Sequence, residues 1–475
     1  MQLDDDEESQ ATTEEQIDYP MLLQISDLLN STIVDARDVP NHRESANKKF
    51  RLRGYIALLK TCRSTAEIHY TFLKQWQTIT ASLLSSPVFD STRFWTHEVL
   101  RLSTTYTPLH CALLSVAGLH YTKSSGFVRN DRTMLQAAYR MRDQAVRRLR
   151  LAEVDNASTV ATYCCLLLFD QISGNVDEWT ASLVLTKLAM RRARFTSRHP
   201  VGRYFFWIVA THDRLAAYMR SEPSVLDVDD LLWDEGMDVD GIDSDAQNWG
   251  SVDKIGLLHA ELIRIHTYIR RLTVHASQDE FDHVDGCLTR WKDKFPLDLQ
   301  TYGYTGDMHD SSCFLHALTC NGGARAVALH CLFSEVMILR LCHTPIDFQK
   351  SRIHENAMTI CKLSQSLTSS ARLLDDSVSG DMNMVLGSLY IGGLHLFSKD
   401  GKAWMERMLR WICTVSANMY AEKVADRLAE FWREVRTRPQ NAVPENDGKD
   451  LKALSRSDAA ILSALANCTI TSMEI

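Results

Sequence analysis

The sequence has 475 residues, 45% of them apolar, with only 10 Pro and 20 Gly. That length can bury a large core, and the scarcity of turn formers favours long helices over many short strands. Net charge is -8, but residues 1–18 carry eight carboxylates and no Lys or Arg. The remainder is therefore neutral and lacks the long-range field of a nucleic-acid binder.

The first 18 residues hold too few apolar groups to offset the entropy of ordering, and residues 31–50 are polar and linker-like. The expected plan is an acidic, polar segment over 1–50, a helical domain over 51–437 and a polar tail over 438–475, which contains Pro439 and Pro444. The acidic start resembles neither a secretory signal nor a transit peptide, and no run of about 18 uncharged apolar residues is present to span a bilayer. Twelve cysteines are spread along the chain, several inside apolar runs (Cys164, Cys165, Cys331). They read as reduced, buried thiols of a soluble intracellular protein. On that reading the sequons at Asn30, Asn156 and Asn467 stay unmodified.

Helical patterning begins near residue 64. Over 134–152, Leu135, Ala138, Ala145, Leu149 and Ala152 recur at helical spacing, and Arg142 interrupts the stripe. Asp155 or Asn156 can cap the next helix, whose run from Val160 to Phe169 is apolar on nearly every side and predicts a central, buried position. Gly174-Asn175 stops it, and Asp177 is expected to cap a helix starting near Trp179. An aromatic-rich helix follows over 203–220, ended by Pro223. Residues 227–245 carry nine carboxylates and no basic residue, and read as an acidic surface loop.

Ile255, Leu258, Leu262, Ile265, Ile269 and Leu272 are spaced 3-4-3-4-3, and Phe281, Val284, Leu288, Trp291 and Phe295 are spaced 3-4-3-4. Each set makes one apolar stripe, and the short link predicts an antiparallel pair. Helices recur at about 324–343, 352–372, 384–398, 402–415 and 418–437. No fixed-period repeat and no convincing strand are found. The fold class expected is all-α, a large domain of antiparallel packed helices.

The catalytic inventory is thin. HExxH, GxSxG, a Walker A loop and GxGxxG after a strand are all absent, as is CxxC. Cys313, Cys320, Cys331 and Cys342 return to nearly one helix face, but eleven helical residues span roughly 16 Å, too far for a shared metal. His259 and His266, two turns apart, read as solvated or boundary histidines with no carboxylate placed to complete a site. The basic residues Arg140, Arg142, Arg147, Arg148 and Arg150 read as an ordinary solvated helix face. No catalytic, metal or cofactor-binding residue is assigned.

The stretch Asp229-Asp230-Leu-Leu-Trp-Asp234-Glu235 resembles the aspartate-rich motif of class I terpene synthases, where carboxylates hold magnesium against a diphosphate. The second metal motif of that family and its Arg-Tyr pair have no match here. A magnesium-dependent terpene cyclase using Asp229, Asp230 and Asp234 is therefore an alternative, as is a non-catalytic helical scaffold or ligand sensor.

A broader resemblance runs through residues 64–437. His69-Tyr70, Phe94-Trp95 and Leu100 precede Thr107-Pro-Leu-His-Cys-Ala-Leu-Leu-Ser-Val-Ala-Gly-Leu-His-Tyr121. A Leu-rich helix with Phe169 leads to Gly174-Asn175-Val-Asp-Glu-Trp179 and a helix ending Arg191-Arg192. Residues 204–226, the run Arg340-Leu-Cys-His-Thr-Pro345, residues 388–411 and Trp432 complete the order. This succession resembles the fungal-specific transcription factor domain, the middle-homology region of fungal zinc-cluster regulators. The resemblance implies a nuclear transcriptional regulator, often of metabolic or secondary-metabolite genes. Its partners would be the transcription machinery or a DNA-binding protein, with a homo- or heterodimer allowed and no membrane role. The family's Cys-x2-Cys-x6-Cys zinc cluster and basic linker have no counterpart in the first 61 residues, which contain no cysteine. Direct DNA binding is not expected of these residues; the expected route is a missing upstream segment or a DNA-binding partner. Within Asp227–Asp245, the embedded Leu231, Leu232 and Trp233 are the expected coactivator contact.

Overall fold

The computed structural model describes residues 65–84, 93–124, 132–150, 156–220, 224–226, 230–233, 254–272, 276–303, 318–320, 323–343, 349–371, 385–416 and 419–437. The chain divides into two units, Met1–Ala66 and Glu67–Ile475. Only residues 65 and 66 of the first are described; the other described residues belong to the second. The segments expected over 1–50 and 438–475 lie outside the described residues.

Helix α1 (65–78) leads through a 3-10 turn (Thr80–Leu84), and a π-helical turn (Phe94–Glu98) opens α2 (Val99–Thr105). Then come α3 (Thr107–Ser124), α4 (Arg132–Leu149), α5 (Ala157–Ser173), α6 (Val176–Arg192) and α7 (Gly202–Arg220). After a 3-10 turn (Leu231–Trp233) follow α8 (Lys254–Arg271), α9 (Gln278–Lys294), strands β1 (Thr301–Gly303) and β2 (Leu318–Cys320), α10 (Gly323–Cys342), α11 (Lys350–Ala371), α12 (Leu386–Leu394), α13 (Lys399–Ser416) and α14 (Met419–Thr437). The fold is all-α, as expected. The two strands pair antiparallel with Thr301 opposite Cys320. No strand was expected, because three residues are too short to display an alternating pattern.

Local chemistry sets the helix ends. Asn156 caps α5 by accepting from the N–H groups of Ser158 (2.9 Å) and Thr159 (3.1 Å). Gly174 closes α5 in the left-handed region at φ +81°. The next cap is Asn175, which accepts from Glu178 N–H at 3.3 Å, so α6 starts at Val176 and the expected cap Asp177 lies inside its first turn. Ser277 and Glu280 form a capping box at α9.

Sequential helices pack side by side: α3 lies against α4 and α5, α5 against α6, and α6 against α7. As expected, α5 is central: nearly every side chain from Ser158 to Ile172 is buried. The α8–α9 pair is antiparallel, since the Trp291 ring near the end of α9 donates to Leu258 O near the start of α8 (3.0 Å). A second group comprises α8, α10 and α11. It joins the first through α7, which meets α8, and through α12, whose residues are all buried and which touches α7, α10, α11 and α14. Helix α12 approaches α14 closely at Gly393, where an added Cβ would lie 2.6 Å from Leu428 Cδ1.

Candidate functional site

The described residues bring together a set of charged side chains at the heart of the helices rather than in an open cleft. Glu335 of α10 is fully buried. Its Oε2 accepts from Arg214 Nη1 of α7 at 3.0 Å and from Ser388 Oγ of α12 at 2.6 Å. Its Oε1 accepts from Tyr218 Oη of α7 at 2.6 Å, and His266 Nε2 of α8 lies 3.2 Å away. Tyr218 Oη and His266 Nε2 are 2.5 Å apart. Since the tyrosyl proton goes to Glu335, the self-consistent assignment puts the His266 proton on Nε2. Arg270 of α8 stacks over the Tyr218 ring at 4.6 Å. Four helices are thus tied by one carboxylate.

Burial alone would push Glu335 upward, but the Arg214 charge and the hydrogen bonds from His266 and Ser388 outweigh it and hold the group lowered to about 2. Burial lowers His266 to about 4, against the opposing pull of Glu335, and keeps the imidazole neutral. Asp213, next to Arg214, is pushed up to about 6 by burial, offset in part by the N–H groups of Leu226 and Val225. Those amides donate to its two oxygens at 2.8 and 2.7 Å, and Lys187 of α6 donates to Val225 O. The segment 224–226 is thereby clamped between α6 and α7.

None of Arg214, Tyr218, Glu335 and Ser388 stands out as a functional residue in the sequence. The available signal was a lone carboxylate inside the apolar run Cys331-Leu-Phe-Ser-Glu-Val-Met-Ile-Leu. The histidine expectation is overturned. His259 and His266 are buried, and His266 does have a carboxylate partner, supplied by a helix 69 positions on and invisible to a scan of its own helix. His259 Nε2 lies 3.0 Å from Arg325 O.

The aspartate-rich stretch is also reinterpreted. Asp229 and Asp234 lie outside the described residues. Asp230 is buried and ion-paired with Lys187 Nζ (2.6 Å) and Arg191 Nη2 (2.8 Å) of α6. Burial raises its pKa, but the Lys187, Leu232 and Arg191 hydrogen bonds bring it below the usual carboxylate value. Two cations already occupy the carboxylate that a magnesium ion would need. The neighbouring side chains are not a surface feature either. Leu232 and Trp233 are buried, and Trp233 packs on Phe206 (4.8 Å) and Trp207 (5.9 Å); only Leu231 is exposed. The expected coactivator contact is therefore core at two of its three apolar positions.

Arg142 interrupts its stripe for a reason. It pairs with buried Asp170 (3.0 Å) and with Glu178 (2.7 Å), while Ser182 Oγ donates to Asp170 at 2.6 Å. Arg140, Arg147, Arg148 and Arg150 are exposed, as a solvated face requires. Of the four cysteines on one helical period, Cys331 is buried in the core, Cys342 is half-buried, Cys313 lies outside the described residues and Cys320 falls in β2. Among the described residues no group of three or more His, Cys, Asp or Glu is placed to hold a metal ion, and no helix is long and apolar enough to cross a membrane.

An open cleft of about 650 Å³ lies beside α9 and α10, floored by Trp291 and Phe333, whose rings stack at 4.8 Å. Two of its polar groups are already engaged: Trp291 Nε1 bonds Leu258 O and His330 Nε2 lies 2.7 Å from Leu299 O. The charge network, by contrast, is shut off from solvent and holds helices in register.

No curated protein and no solved structure matches the chain. A family model does, the fungal specific transcription factor domain, over residues 72–447. That span contains every helix described here after α1 and most of residues 64–437, over which the resemblance runs. The chain belongs to the fungal specific transcription factor domain family and has the role of a transcriptional regulator.

Proposed function

We propose that this domain regulates transcription in the nucleus through protein contacts, joining the transcription machinery or a DNA-binding partner. The observation that carries the reading is the family match over 72–447. The chemistry of the core accords with it: four of the buried carboxylates, Asp170, Asp213, Asp230 and Glu335, are each spent on partners within the helical body. We further propose that the genes controlled are metabolic or secondary-metabolite genes.

A reporter tests the main proposal. The full chain, fused to a heterologous DNA-binding domain, is tethered upstream of a reporter in a fungal cell, with a fluorescent tag to follow location. The expected result is nuclear fluorescence and a reporter output changed several-fold relative to the DNA-binding domain alone. Exclusion of the untethered chain from the nucleus together with an unchanged reporter would overturn it.

A further inference from the structure

Exposed large apolar side chains are concentrated around α6. Val184, Leu185 and Leu188 of that helix are 39%, 45% and 44% exposed. Exposed Tyr139 and Leu231 adjoin its two ends, because Arg142 of α4 pairs with Glu178 and Asp230 pairs with Arg191. Contiguous apolar surface of this kind marks an interaction site more often than scattered single residues do.

The outward face of α6 is symmetric in sequence. At about 100° per residue, Asp177, Ala181, Val184, Leu185, Leu188 and Arg192 all point within about 50° of one direction, and all are exposed. Their positions mirror one another about the point between Val184 and Leu185. Leu185 mirrors Val184, Leu188 mirrors Ala181, and Arg192 mirrors Asp177. A two-fold interface is isologous, so that each residue meets its mirror position on the other copy. Two α6 helices laid antiparallel would bring Val184 against Leu185 of the partner subunit at the centre. Asp177 would meet Arg192 of the partner subunit, at both ends. A parallel or head-to-tail pairing satisfies neither relation.

We propose that α6 is a self-association surface, through which two copies of this chain pair antiparallel about a two-fold axis between Val184 and Leu185. The apolar centre supplies the burial, and the acidic start and basic end of the same helix supply the charge match. One helix pair of this length falls short of a standard interface, so the dimer is a reversible one, dissociating on the order of micromolar. The proposal does not depend on the transcriptional reading.

Sedimentation velocity on the purified full chain, across concentrations from about 1 to 100 µM, tests it. The expected result is a monomer–dimer equilibrium. Leu185→Glu weakens it by about ten-fold or more while leaving the circular dichroism and the melting temperature unchanged, since the residue is exposed. Asp177→Arg alone and Arg192→Asp alone each weaken association, because like charges then meet twice. The double variant D177R/R192D restores it, because in a two-fold pair the swapped charges match again. A chain that stays monomeric throughout, as it would if its own acidic segment covered α6, overturns the proposal. So does a dimer indifferent to Leu185→Glu, or a double variant no tighter than the single ones.

Discussion

A carboxylate taken out of water is tolerated only where a counter-charge and donors replace its hydration. Glu335 has both, and in turn gives Arg214 a carboxylate counter-charge at that depth. Removing one member is therefore expected to cost more than removing both. Glu335→Ala should lose about 3–5 kcal/mol in urea unfolding, because it takes the carboxylate partner from a buried guanidinium. The double variant Arg214→Met, Glu335→Leu should lose distinctly less than either single change, since it leaves no orphaned charge. Additive losses would show that the two side chains act separately. Little of this network was legible in the sequence. A lone Glu in an apolar run announces burial but not its partners, and these come from positions 53 to 121 residues away. Arg142 was legible only as an interruption for the same reason, since Asp170 and Glu178 lie on other helices.

At the scale of elements, patterns confined to one helix were readable and contacts between helices were not. The 3-4 spacing of α8 and α9 foretold both helices and their pairing, because the apolar stripe and a short link leave few other arrangements. The all-apolar run of α5 foretold its central place. The hub α12 gave no such sign: nine apolar and small residues show burial on all sides but not which neighbours share it. Two substitutions test elements directly. Gly174→Ala should destabilise the protein by about 1–2 kcal/mol, since φ +81° strains any side chain and the new Cβ would lie 3.2 Å from Met419 Cβ. A change within about 0.3 kcal/mol would show that the turn relaxes freely. Asp230→Ala removes the shared partner of Lys187 and Arg191 and should lower the melting temperature by several degrees, whereas adding magnesium to the unaltered chain should leave it unmoved. A rise with magnesium that depends on Asp230 would restore the metal-binding reading of that residue.

For the molecule as a whole, burial sets the response to acid. His120, His212 and His266 are lowered to about 4 and His395 to about 3, all chiefly by burial, against 6.5 when unfolded. Their folded pKa values are depressed, so the unfolded chain binds more protons in that window and stability falls as pH drops from 6.5 toward 4. Asp213, raised to about 6 from 3.8, and Asp170, also raised by burial, work the other way over part of the range, but His69, His110, His330 and His343 are lowered by burial as well and add to the first effect. Glu335 adds a further loss only as pH falls from 4.5 toward 2. The melting temperature should therefore be highest near neutrality and decline steadily from pH 6.5 to 5; a flat profile there would mean that these imidazoles reach water. The functional role belongs to the same scale, since it rests on a match along most of the chain rather than on any one residue. Chromatin immunoprecipitation of the tagged full-length protein from its native cells tests that role most directly, because it registers direct contact with DNA and recruitment by a partner alike. Enrichment at discrete loci whose transcripts change when the gene is deleted is the result predicted; enrichment no greater than in an untagged strain, with an unchanged transcript profile on deletion, would contradict it.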